Sequence, residues 1–320
     1  MKQDAPLIVV TNQAHPDALA VLAGFARIDA NVGEAPWPRD ELMRRAGAAD
    51  GMLAFMTDHV DADFLAHCPR LRAIGCALKG ADNFDLAACR DRDVAVAVVP
   101  DLLTAPTAEL AVGLMIALGR HIRAGDALVR GGGFAGWRPI LFGAGLEGAR
   151  VGIIGMGAVG RAIAARLAGF GCHLAHHDPA VPGPGALPLA DLLATSDWVV
   201  LAAPLTPATL HMIDAAALAR MPPGALLVNC ARGSLVDEAA VAATLERGHL
   251  GGYAADVFEM EDWALPHRPA GIAPALLAQP RTLFTPHLGS AVVEVRRRIA
   301  LQAATALADF FSGRPMPGRL

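Results

Sequence analysis

Long apolar runs are the first thing this chain lacks. Of its 320 residues 54% are hydrophobic, and the mean hydropathy is +0.39. Yet the longest apolar stretch, Ala111–Gly119, sits between Glu109 and Arg120. A membrane-spanning helix needs about 20 such residues, so a buried core helix is expected there and no membrane partner. The N-terminus, Met1-Lys2-Gln3-Asp4-Ala5-Pro6, has an early acid and no extended apolar segment, so no signal peptide is expected. Cysteine is sparse. Cys68, Cys76, Cys89, Cys172 and Cys230 are odd in number and lack CxxC or metal-type spacing. They are expected to be small core residues in a reducing, cytoplasmic compartment, with no metal site. A basic excess is absent too, and the net charge of −4 argues against a nucleic-acid partner. No internal repeat is visible.

What the chain does have is alternation. Strand-like runs (Leu7–Val10, Met52–Phe55, Arg72–Ala77, Val94–Val99) alternate with helical patterns (Pro16–Phe25, Arg39–Ala46, Ala62–His67, Leu86–Arg90). Such alternation predicts an α/β fold with a doubly wound parallel sheet. Pro100 and Thr104-Ala105-Pro106-Thr107 break the pattern. One long helix is then expected from about Ala108 to Val129, ended by Gly131-Gly132-Gly133, with an irregular excursion over 134–148. A second doubly wound block runs from Arg150 to about Pro286. The tail Ala291–Phe311 has helical spacing and is expected to pack back on the first block. The expected architecture is therefore two doubly wound parallel-sheet domains. Residues 1–101 and 290–320 form a flavodoxin-like substrate domain, and 102–289 form a Rossmann dinucleotide-binding domain.

The second block opens with a specific motif. The apolar run Val151–Ile154 leads into Gly155-Met156-Gly157-Ala158-Val159-Gly160, a helical pattern follows, and the next strand ends at Asp178. A GxGxxG in this βαβ setting points to a dinucleotide. Gly155 serves the tight turn, Gly157 the approach of a pyrophosphate, and Gly160 close helix–strand packing. The helix N-terminus offers free N–H donors to the phosphates. Asp178 stands where an acid accepts hydrogen bonds from ribose hydroxyls. A 2′-phosphate about 4 Å from that acid would be repelled by roughly 1 to 4 kcal/mol, so NAD is expected over NADP.

Three further strands end on chemically useful residues. Leu226–Asn229 delivers Arg232, Gly252–Phe258 precedes Glu261, and Leu283–Thr285 precedes His287. Carboxyl ends of parallel strands are where open α/β sheets bind ligands. An arginine fork can grip an oxyanion. A histidine near neutrality can move the proton that accompanies a hydride. A carboxylate can hold its imidazole in one tautomer.

These blocks resemble the D-2-hydroxyacid dehydrogenase family over nearly the full length. Gly75-Cys76-Ala77-Leu78-Lys79-Gly80, Pro100-Asp101-Leu102-Leu103-Thr104 and Gly252–Trp263 resemble its phosphite-oxidising branch, the NAD-dependent phosphonate (phosphite) dehydrogenases. Glu261 is followed by Asp262-Trp263, where the wider family usually has Pro. The resemblance implies a catalytic trio of Arg232, Glu261 and His287, and substrate contacts at Lys79, Met56, Trp137 and Ser290. It implies cofactor contacts at Lys79, Thr107, Gly155, Gly157, Ala158, Val159, Gly160, Asp178, Cys230, Ala231, Arg232, Asp256 and His287. A homodimer is implied, with 131–148 as its arm. Phe142 stands where members of that branch carry Tyr.

The expected reaction is NAD-dependent oxidation of phosphite to phosphate. Phosphite near neutrality is largely a dianion, and desolvating it without a second cation would cost several kcal/mol. Lys79 is expected to supply that cation, facing Arg232 across a cleft between the domains. Two other readings stay open: a 2-hydroxyacid dehydrogenase acting on glycerate, glyoxylate or lactate-like compounds, and an NAD(H)-sensing scaffold without turnover.

Overall fold

Four consecutive apolar residues, Leu7–Val10, form β1, the strand on which the first sheet is built. The computed structural model describes residues 5–320, so the first four residues of the N-terminal segment read above lie outside the described residues. Two units emerge: the chain through Leu103 with Trp263–Pro266 and Ser290–Leu320, and Thr104–Asp262 with His267–Gly289.

In the first unit β1 is followed by α1 (Pro16–Ala23), β2 (Arg27–Ala30), α2 (Arg39–Ala46), β3 (Gly51–Ala54) and α3 (Ala62–His67). Then come β4 (Ala73–Cys76), α4 (Leu86–Asp91) and β5 (Ala95–Ala97). The strands are all parallel, in the order β2-β1-β3-β4-β5, which is the flavodoxin-like order. Continuous burial of β3, β4 and β5 reflects a sheet covered on both faces. β2 is an addition to the strands read from the sequence, because Arg27-Ile28-Asp29-Ala30 is a half-exposed edge strand without an apolar run.

In the second unit α5 (Thr104–Gly119) and α6 (Ile122–Arg130) precede β6 (Arg150–Ile154) and α7 (Ala158–Leu167). Next are β7 (His173–His177), α8 (Leu189–Thr195), β8 (Trp198–Leu201), α9 (Ala215–Arg220) and β9 (Leu226–Asn229). α10 (Glu238–Glu246), β10 (Gly252–Ala255), α11 (Pro274–Leu277) and β11 (Thr282–Phe284) complete it. The parallel sheet runs β11-β10-β9-β8-β6-β7, and a single bridge from His176 to Ala186 continues it beyond β7. With that bridge the strand order is that of a Rossmann sheet, whose direction reverses between β6 and β8.

The single helix expected over 108–129 is two. α5 starts earlier, at Thr104, because Pro106 lies in the first turn, where its missing N–H costs nothing. It ends at Gly119 because His121 adopts φ +52°, outside helical space. α12 (Val293–Phe311) packs on the first sheet. A methyl at Gly75 would come within 2.6 Å of the Ala303 carbonyl oxygen, so β4 and α12 touch backbone to backbone. Among the described residues no helix is long and apolar enough to cross a membrane.

Candidate active site

The glycine-rich turn after β6 has the geometry its sequence requires. Gly155 adopts φ +94°, and a methyl there would lie 2.5 Å from the Ala203 amide nitrogen. A methyl at Gly160 would sit 2.0 Å from the Gly155 carbonyl oxygen. Only glycine allows α7 to start this close to β6. Gly157, by contrast, faces open space and caps α7 with no side-chain bond. Together with Ala158 and Val159 it starts a helix whose first N–H groups no side chain caps, donors of the kind a diphosphate would need. Asp178, at the end of β7, accepts from the Met156 N–H at 2.7 Å and the Ala180 N–H at 2.9 Å. These bonds hold its carboxyl below the usual range. Each oxygen keeps a second lone-pair direction for a ribose hydroxyl. The residues present fit a dinucleotide.

Arg232, Glu261 and His287 follow β9, β10 and β11, three neighbours in one sheet. His287 Nδ1 lies 2.6 Å from Glu261 Oε2, both side chains being about 28 to 29% exposed. The other Glu261 oxygen accepts from the Phe258 N–H at 2.8 Å. With Nδ1 so engaged, Nε2 is the nitrogen left to exchange a proton. His287 sits at φ +55°, a conformation few non-glycine residues adopt and one that collects at functional sites.

Asp256 explains how that backbone is held. It is 1% exposed. Its carboxylate accepts from Thr285 Oγ1 at 2.5 Å, Leu288 N at 2.6 Å and Gly289 N at 2.8 Å, and its carbonyl accepts from His287 N at 2.8 Å. Its role here is to fold the 285–289 loop around the histidine, a role that its implied place among the cofactor contacts did not reveal. Thr107 packs against the same loop: a methyl at Gly289 would meet Thr107 Oγ1 at 3.2 Å.

Asn229, missed in the sequence, shapes the arginine turn. It is fully buried, donates to the Arg232 carbonyl at 2.9 Å and accepts from the Ala231 N–H at 3.1 Å. Arg232 Nη1 donates to the Ala231 carbonyl at 2.8 Å. Cys230 is buried, which pushes its thiol well above the usual range and leaves it unreactive.

In the first unit Lys79 is half-buried beyond β4. Burial lowers its ammonium pKa, with Asp101 pulling the other way. Met56 is tied to the same region, its carbonyl accepting from Asn83 Nδ2 at 2.9 Å. Ser290 Oγ accepts from Arg296 Nη1 at 3.4 Å, and the same nitrogen reaches the Ala77 carbonyl at 3.4 Å. Arg296 is thus a second cation near the end of β4. In the sequence it is indistinguishable from its neighbours Arg297 and Arg298. Trp137 is 82% and Phe142 77% exposed, on a stretch without regular structure.

A Rossmann unit whose one sheet carries both a GxGxxG turn and an Arg/Glu/His set has the make-up of a nicotinamide-dependent oxidoreductase. Residues 112–289 match the family described as D-isomer specific 2-hydroxyacid dehydrogenase, NAD binding domain. The chain is 32% identical to the glyoxylate reductase of Thermococcus litoralis over 324 residues, covering 98% of this chain and 96% of that one. A crystal structure of a Thermus thermophilus protein superposes with a TM-score of 0.89 at 34% identity, covering 98% of this chain and 99% of the other. A 2-hydroxyacid dehydrogenase from Ketogulonicigenium vulgare gives 0.82 at 27%, covering 99% and 98%. The chain belongs to the D-2-hydroxyacid dehydrogenase family and carries its NAD-binding domain. The resemblance to the phosphite-oxidising branch gains no support here, since the relatives that carry an activity name are a glyoxylate reductase and a 2-hydroxyacid dehydrogenase.

Proposed function

We propose that the chain catalyses reversible NAD-linked hydride transfer at a small 2-hydroxy acid or its 2-keto acid, with glyoxylate the first candidate. The observation that carries this reading is the 2.6 Å contact between His287 Nδ1 and Glu261 Oε2 at the sheet edge that also bears Arg232. When bound, the nicotinamide gives or takes the hydride. Arg232 would grip the substrate carboxylate through its fork of donors. His287 would give its proton to the carbonyl oxygen of a keto acid, or take it from the hydroxyl in the reverse direction. Glu261 would keep the imidazole oriented and stabilise its charged form. Gly155, Gly157, Ala158, Val159 and Gly160 would bind the diphosphate and Asp178 the ribose.

A second reading, oxidation of phosphite to phosphate, is favoured by the cations of the first unit. Only two lysines occur in the chain, and one of them is Lys79. It sits two residues beyond the carbonyl that Arg296 reaches. A phosphite dianion has more charge to neutralise than a hydroxy acid does, and the Glu261-Asp262-Trp263 run resembles the phosphite branch. In this reading His287 would take a proton from the attacking water. A second copy of the chain is part of the proposal, with the exposed Phe134, Trp137 and Phe142 on its contact arm.

One assay decides between the readings. NADH absorbance is followed with glyoxylate plus NADH, with a panel of D-2-hydroxy acids plus NAD, and with phosphite plus NAD, for the wild type and Lys79→Ala. Fast glyoxylate reduction with no phosphite oxidation supports the first reading. Phosphite turnover lost in Lys79→Ala supports the second. NADH binding without turnover on any acid would overturn both in favour of a sensing scaffold.

A further inference from the structure

Four carboxylates converge where the arginine and glutamate turns meet. Gly233 begins the 3-10 turn Gly233–Leu235, and a methyl on it would come within 1.8 Å of the Phe258 carbonyl carbon. The chain after Arg232 and the chain before Glu261 are therefore in backbone contact. Three acids stitch them together. Glu238 accepts from the Glu259 N–H at 2.9 Å, and Glu259 returns the bond, accepting from the Glu238 N–H at 2.8 Å. Asp262 accepts from the Ser234 N–H at 2.7 Å. Glu238 and Asp262 are each 3% exposed, and a buried carboxylate needs such donors to be tolerated.

We propose that Glu238 and Asp262 are positioning residues, holding the Glu261 turn against the Arg232 turn so that the trio acts at one point. The inference rests on the catalytic roles proposed above. The arrangement crowds like charges, since Glu259, Glu261 and Asp262 all face Glu238. His211 Nε2 lies 3.5 Å from Glu259, Arg268 donates to the Met260 carbonyl, and buried Tyr253 feels Glu238 from β10. Burial first, and then the Glu259, Glu261 and Asp262 carboxylates, push Glu238 up to about 7, so near neutrality the clasp retains a proton that relieves the repulsion.

The test uses Glu238→Ala, which removes the acceptor of the Glu259 N–H, and Glu238→Gln, which keeps a carbonyl there. Three quantities are read: kcat, KM for NAD, and amide hydrogen exchange over 258–262. Glu238→Ala is expected to lower kcat at least about tenfold and speed exchange, while KM for NAD stays within about twofold, because the loss is one of positioning rather than of binding. Glu238→Gln is expected to restore both kcat and exchange. Exchange in Glu238→Ala equal to wild type overturns the clasp, as does a Gln variant as impaired as Ala. Faster exchange with unchanged kcat overturns the positioning role. If His287→Ala also turns over normally, the failure is traced to the trio assignment and takes the positioning role with it. Should Glu238→Ala not fold, Asp262→Ala is read the same way, with Asp262→Asn as its rescue.

Discussion

Replacing Asp58 by asparagine should change how stability depends on pH. Asp58 lies just past β3, is 3% exposed, and accepts from the Thr11 hydroxyl and from the Phe55 N–H at 2.7 Å. Burial outweighs both bonds and pushes its carboxyl up to about 6 from an ordinary 3.8. The native state therefore holds this proton more firmly than the unfolded chain does. The resulting stability is present below the ordinary carboxylate range and is lost as pH rises through about 6. A difference of about two units corresponds to roughly 3 kcal/mol. The amide in Asp58→Asn would still accept from Phe55 and carries no titratable proton, so any fixed offset from the rearranged Thr11 bond is independent of pH. Urea unfolding of both proteins at about pH 4.5, 6 and 8 should show the variant gaining about 2 kcal/mol on wild type across the series, most of it between pH 4.5 and 6. A constant offset would mean that Asp58 titrates as an ordinary carboxylate. A trend of opposite sign would mean that its two hydrogen bonds outweigh its burial.

His287→Ala should cut kcat by at least about 100-fold with little change in NADH affinity, as steady-state kinetics and fluorescence titration would show. Glu261→Gln should lower kcat less, because an amide still bonds Nδ1 without stabilising the imidazolium. Gly160→Ala should abolish NADH binding and lower the melting temperature, its methyl falling 2.0 Å from the Gly155 oxygen. Asp178→Ala should narrow the NAD over NADP preference by about fivefold or more, the repulsion removed being of order 1 to 4 kcal/mol.

How much of this was legible in the sequence follows from the range of each interaction. β1 and β9 announce themselves as four apolar residues in a row or nearly so, because a parallel strand buried on both faces tolerates little else. The glycine turn is legible for the same local reason: its steric demands fall within six residues. Arg232, Glu261 and His287 could be found because strand ends order them, although nothing in the sequence gives the 2.6 Å contact between the last two. β2 was hidden by its edge position, and the break at His121 was hidden by an apolar periodicity that continues through it.

The residues that escaped share one property, namely that their partners are distant in sequence. Glu238 looks like an ordinary acid in the first turn of a helix capped by Asp237, whose side chain accepts from Ala240 N at 2.9 Å. Only the fold shows that its carboxylate turns inward to Glu259, 21 residues on, and Asp262 bonds Ser234 across 28. Asp58 bonds Thr11 across 47 residues, and Arg296 reaches Ala77 across 219. A catalytic side chain at a strand end can be inferred from the periodicity that delivers it. The groups that hold it in place cannot, because they are selected by neighbours that exist only after folding. The acids that follow Glu261 and Arg232 are therefore more informative than their composition suggests: buried carboxylates bonded to one another's backbone are costly to keep for packing alone, and their position beside the trio is the physical reason to look for their effect in kcat.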